Sequence, residues 1–281
     1  MTAYAIFFFI AIFILGAVMG SFVGAMTWRM HQHMDWVRGR SECEHCHHQL
    51  GVGDLIPIVS YLTLRGRCRY CRKPIGRTAI MLEIGTGLAF AISALLYPSM
   101  LARSWVNPAT ILTNDNPWSA LGLGLWLICL TVMVALFVYD WRWHLLPNKL
   151  VLPLVLVSLA CSAALNLGVW QTNWANWLIS LGLGMLPVTG VYGLLYLVSH
   201  GRWIGLGDVK LGVAIGCLVP WWGGIVVLFL SNLLCTMASV PGLVSHRING
   251  NSQIPFGPYL IASTYLVFLL GWLLQSIMLV L

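Results

Sequence analysis

The chain has 281 residues, of which 59% are hydrophobic and only 8% charged, far below the roughly 25% charged residues of a soluble domain. That balance excludes an ordinary water-soluble enzyme, because several apolar runs reach about 18 residues or more, enough to cross a bilayer. The formal charge of +7 does not argue for a nucleic-acid partner, since basic loops set the orientation of membrane proteins.

Taken in chain order, apolar segments at 4–28, 79–97, 118–139, 148–167, 176–198, 208–219, 221–240 and 258–280 predict an all-α polytopic membrane protein of about eight transmembrane helices. The first segment has no basic flank and is too long for a signal-peptide core. In it, Gly16, Gly20 and Gly24 recur at four-residue spacing, a face suited to close helix packing. The sixth segment is short because Pro220 and "WWGG" interrupt it; as a half-span it would leave seven crossings. The expected organisation is a first helix (1–28), a loop domain (29–78) and a helical bundle (79–281).

With eight spans, fourteen of the fifteen Lys and Arg residues fall in or beside the loops 29–78, 140–147, 199–207 and 241–257; Arg103 is the exception. The bias assigns those loops to the cytoplasm. The loop 29–78 carries "CEHC" (Cys43, Cys46) and "CRYC" (Cys68, Cys71), two C-x2-C pairs separated by 21 residues. Two such pairs complete a tetrahedron of thiolates, the pattern of structural zinc, and cytoplasmic thiols stay reduced. His45, His47 and His48 are bystanders, because four cysteines already satisfy the metal. The basic run around the second pair suits lipid headgroups or an acidic protein segment.

Beyond residue 115 the only acids are Asp140 and Asp208. Asp140 closes a span running toward the cytoplasm and Asp208 opens one leaving it. The two carboxylates therefore share a membrane face although 68 positions separate them. Acids in membrane segments mark function. A close pair sharing one proton is the aspartic-protease arrangement, one acid activating water and the other protonating the carbonyl oxygen. Gly205 and Gly207 give room for backbone or peptide beside Asp208, and Pro147 suits the first turn of the next span. The same acids would also serve a cation- or proton-coupled transporter, and the zinc loop a membrane scaffold.

The stretches "GSFVGAMTWR" (20–29), "CEHCHHQLGVGDLIPIVSYLTLRGRCRYCRKPIG" (43–76), "YDWRWHLLPNKLVLP" (139–153), "GLGDVKLG" (205–212) and "IPFGPYL" (254–260) resemble, in order and over nearly the whole chain, the prepilin peptidases of type IV pili and type II secretion. The resemblance implies an inner-membrane aspartic protease of the G-x-G-D type, with Asp140 and Asp208 catalytic and the four cysteines on zinc. It further implies removal of prepilin or pseudopilin leaders at the cytoplasmic side. N-methylation of the new N-terminus from S-adenosylmethionine would follow. By the same resemblance Pro147 and Asn148 follow the first aspartate, and Pro255, Gly257 and Pro258 position substrate. After Gly20-Ser21-Phe22 this chain reads "VGAMTWRMHQ" where the family usually reads "LNVVIYRLP". Glu83, the only acid of the second span, suits the methyl-transfer site, the zinc loop or a plain helix start.

Overall fold

The computed structural model describes residues 3–35, 39–102, 116–244 and 254–278. Among the described residues each of the eight apolar segments is helical over most of its length, and there is no β-strand beyond two isolated bridges. The helices are α1 (Ala3–His31), α2 (Val59–Thr63), α3 (Arg77–Ala102), α4 (Pro117–Trp143), α5 (Asn148–Ala163), α6 (Trp174–Met185), α7 (Val191–Ser199), α8 (Leu206–Leu218), α9 (Trp221–Val244) and α10 (Gly257–Met278). Six segments among the described residues are long and apolar enough to cross a membrane: α1, α3, α4, α5 with its π-helical end, α6 through α7, and α9. The short sixth segment of the sequence is α8, with 13 residues. Its last residue is followed by Val219 in extended conformation, as a residue before proline prefers. Arg38, Arg103 and Arg247, part of the charge-bias argument, lie outside the described residues, as does Asp115.

Two compact units divide the chain, Met1–Leu95 and Leu96–Leu281. In the first, α1 lies against α3 along the expected glycine face. A side chain at Gly16 would meet the Thr86 carbonyl at 2.7 Å, and one at Gly20 the Leu82 carbonyl at 2.5 Å. At Gly24 the nearest atom is a Leu82 methyl at 3.6 Å, so contact loosens toward the end of α1.

In the second unit α8 is the central element, with Leu211, Gly212, Ala214, Ile215, Gly216 and Cys217 all buried. Beyond Asp208 and Lys210 in its first turns it is enclosed and carries no polar face. Its backbone touches α6, since a Cβ on Gly184 would fall 2.5 Å from the Gly216 carbonyl oxygen. The stretch α6–α7 is one continuous rod broken by a π segment at Leu186–Gly190. Pro187, which has no N–H to donate, accounts for the irregularity. Trp126 of α4 is fully buried and stacks on Phe268 of α10 at 3.6 Å between centroids. The late acids sit at the end of α4 and the start of α8, and α10 begins beside the first of them.

Candidate active site

Asp140 lies in the last turn of α4 and is 6% exposed. The helix stops sharply behind it: His144 adopts the left-handed conformation (φ 54°) and donates its N–H to the Asp140 carbonyl at 2.9 Å. Pro147 then stands at the N-cap of α5, one position before the first turn, and the helix begins at Asn148. Pro147 lacks an N–H, but its carbonyl accepts from Leu150 and Val151.

Asp208 is the third residue of α8, with Gly205 as N-cap. Its carboxylate lies beside that N-cap, where a Cβ on Gly205 would fall 3.5 Å from Asp208 Oδ2. Asp140 is placed by a different helix start. The N–H of Gly257, first residue of α10, donates to Asp140 Oδ2 at 2.9 Å. A helix N-terminus leaves its first N–H groups without internal partners and carries partial positive charge. Each aspartate thus faces a helix N-terminus, and the two are close enough to interact electrostatically. Neither forms an ion pair with Lys or Arg among the described residues, so a salt bridge from Asp140 to Arg142 or Arg202 is not what holds it.

Gly207 and Gly257 earn their places by close approach. A Cβ on Gly207 would lie 2.9 Å from the Leu146 side chain, and one on Gly257 would lie 2.8 Å from Asp140 Oδ2 and 3.5 Å from Leu146. Leu146 therefore wedges between the glycines of two other segments. Asn148 accepts from Lys210 Nζ at 3.0 Å, tying the start of α5 to α8. The three stretches 140–148, 205–210 and 255–258, distant in sequence, form one site. Pro255 and Pro258 flank Gly257; Pro258, second in α10, leaves the Gly257 N–H as the donor aimed at Asp140.

Sequence reasoning missed Leu146, Tyr192 and Phe256. Tyr192 of α7 is buried, meets Phe256 edge to face at 5.5 Å, accepts from Asn232 Nδ2 at 3.0 Å and interacts with the charge of Asp208. None of these residues carries a charge or spacing signal. Only the pattern "PFGP" drew notice to Phe256's surroundings.

The four cysteines form a second centre, in the first unit. The two C-x2-C pairs fold identically: Cys43 N–H donates to the His48 carbonyl and Cys68 N–H to that of Lys73. In each knuckle the residue four after the first cysteine, His47 or Arg72, has positive φ. All four Sγ atoms lie within 4.8 Å of one another, with Cys43 and Cys71 at 3.8 Å. Tetrahedral zinc with Zn–S of about 2.3 Å requires sulfurs roughly 3.8 Å apart. The donor set and its spacing fit that ion. Two of the three flanking histidines are engaged elsewhere: His48 packs at a tilt against Tyr70 and His47 lies 3.6 Å from Glu42. Asp54, whose side chain is only 6% exposed, accepts from Arg69 at 2.6 Å and from the Gly51 N–H at 3.2 Å, closing the loop onto the second knuckle.

Two family models match the chain. Residues 14–97 match the bacterial peptidase A24 N-terminal domain and residues 127–240 the type IV leader peptidase family. A prepilin leader peptidase/N-methyltransferase of Aeromonas hydrophila is 31% identical over 83% of this chain and 72% of its own length. Relatives of the same name from Pseudomonas putida and Stutzerimonas stutzeri are 28% and 30% identical, over 92% and 82% of this chain and 89% and 72% of theirs. No solved structure matches significantly.

Proposed function

The chain belongs to the type IV leader peptidase family, and from that premise we infer how its site works. The protein is a multi-pass membrane aspartic endopeptidase that removes the leader of type IV prepilins or pseudopilins and methylates the new N-terminus. Asp140 and Asp208 are the catalytic pair. The observation that carries this assignment is the convergence of Asp140, Asp208 and the Gly257 N–H from three segments onto one place. One carboxylate draws a proton from water while the other, protonated, donates to the oxygen of the scissile carbonyl. Helix N-termini of α8 and α10 steady the charge as it moves between them. Gly205 and Gly207 leave space for an extended peptide; Pro147, Asn148, Pro255, Gly257 and Pro258 hold the supporting loops. The named relatives are leader peptidases and lend nothing to an ion-transport reading of the same acids.

The bias of basic residues toward the loops beside the site supports a place at the cytoplasmic face of the bacterial inner membrane. The cysteine cluster holds structural zinc through Cys43, Cys46, Cys68 and Cys71, and the loop 29–78 that it organises belongs to methyl transfer. S-adenosylmethionine is the methyl donor.

Expression beside a prepilin, in a host without its own processing enzyme, should convert the prepilin to a shorter form. A prepilin of unchanged length would contradict the assignment. Gly257→Ala should lower kcat for leader removal by about 10- to 100-fold, because a methyl group 2.8 Å from Oδ2 must displace Asp140. Steady-state cleavage by detergent-purified enzyme reads this directly; unchanged kcat would remove Gly257 from the site.

A further inference from the structure

Glu83 lies on α3, six positions past Arg77 and thus about 9 Å along the helix. It is 8% exposed and, unlike Asp54 with its Arg69 partner, forms no ion pair among the described residues. Its Oε2 accepts from the Ile58 N–H at 2.7 Å, and Oε1 accepts no hydrogen bond among those residues. The buried cation of the same unit, Arg29, is engaged with the Gly39 carbonyl instead. A buried carboxylate without a cation is costly, and an acid in a membrane helix points to a ligand or proton task.

The partner of Glu83 is itself unusual. Ile58 has φ 65° and ψ −50°, and Val59 N–H donates to the Pro57 carbonyl at 2.6 Å. This is a γ-turn of the strained form, on a β-branched residue for which positive φ is a genuine outlier. Strain of this kind gathers at functional sites. The turn directs one N–H at Oε2, and the other oxygen is left without a hydrogen bond from the described residues, open to a ligand. A metal ion is a poor candidate, because no group of metal ligands other than the cysteines is found among the described residues. One carboxylate oxygen suffices for an ammonium group.

We propose that Glu83, held by the Ile58 turn, binds the N-terminal ammonium of the cleaved substrate and takes its proton for methyl transfer. The inference rests on the N-methyltransferase reading above. The ammonium gives one proton to the Glu83 carboxylate. The freed nitrogen lone pair forms a bond to the methyl carbon of S-adenosylmethionine. The carbon–sulfur bond breaks with its electron pair staying on sulfur, leaving the neutral thioether and a secondary ammonium. Glu83 then releases its proton to water.

The test uses full-length enzyme, labelled S-adenosylmethionine and two substrates: a prepilin, and a synthetic peptide of the mature N-terminus with a free amine. Glu83→Gln keeps an oxygen for the Ile58 N–H but cannot take a proton. It should retain leader removal within about twofold and zinc content in full, while label transfer to either substrate falls at least about 100-fold. Label transfer at the parental rate would overturn the proposal. The double variant Glu83→Gln/Ile58→Gly separates chemistry from support, since glycine adopts positive φ freely. It should stay inactive in methyl transfer; restored transfer would mean that Glu83 only holds the turn. If the parent itself transfers no label to the free-amine peptide, the methyltransferase reading fails, and the role of Glu83 with it.

Discussion

Asp140→Asn and Asp208→Asn are each expected to lower leader removal by at least about 10³-fold, within the range of general acid–base catalysis. Asparagine at 140 still offers an oxygen to the Gly257 N–H, and asparagine at 208 is isosteric with the carboxylate it replaces, so both helix starts keep their shape. What is lost is the ability to exchange a proton with water or the scissile carbonyl. Membrane insertion and detergent-extracted yield should therefore match the parent. Residues acting as a unit are not additive, so the double variant should be no slower than either single one. Cleavage followed by the change in prepilin mobility measures all three. Retained cleavage by either single variant would break the pair.

Loss of the cysteine cluster should have an effect of comparable size on a different activity. Cys43→Ser/Cys46→Ser removes half of the donors that converge within 4.8 Å. Binding energy at a structural zinc site is folding energy, of order 10 kcal/mol in small zinc domains. The loop around the knuckles has little else to hold it, with α2 only five residues long and its residues not buried. It should lose its zinc and become sensitive to proteases, and methyl transfer should be abolished. Leader removal should persist, because Asp140, Asp208 and Gly257 belong to the other unit, Leu96–Leu281. Zinc by atomic absorption and the two activities in parallel decide the matter. Lost cleavage with methylation kept would reverse the division of labour.

The parts of the site legible in the sequence are those that break a background. Asp140 and Asp208 stand out because carboxylates are scarce in an apolar chain, and the cysteines because two identical spacings recur. The short α8 was legible too, since Pro220 ends it and no polar face was needed. What stayed hidden depends on contacts between distant segments. The hydrogen bond from Gly257 to Asp140 joins residues 117 positions apart, and Leu146 is a leucine among many until Gly207 and Gly257 close on it. Tyr192 reads as one more buried aromatic. Ile58 is the extreme case, because a β-branched residue argues against the positive φ it adopts. Its conformation is imposed from outside by the loop and Glu83.

The most direct measurement of the central claim is incubation of the purified parent protein with a prepilin and labelled S-adenosylmethionine, the new N-terminus being sequenced by mass spectrometry. The account predicts one cut at the leader boundary, label on the residue exposed by that cut, and neither event with Asp140→Asn or Asp208→Asn. A prepilin left intact by the parent, or cut equally well by the aspartate variants, would contradict it.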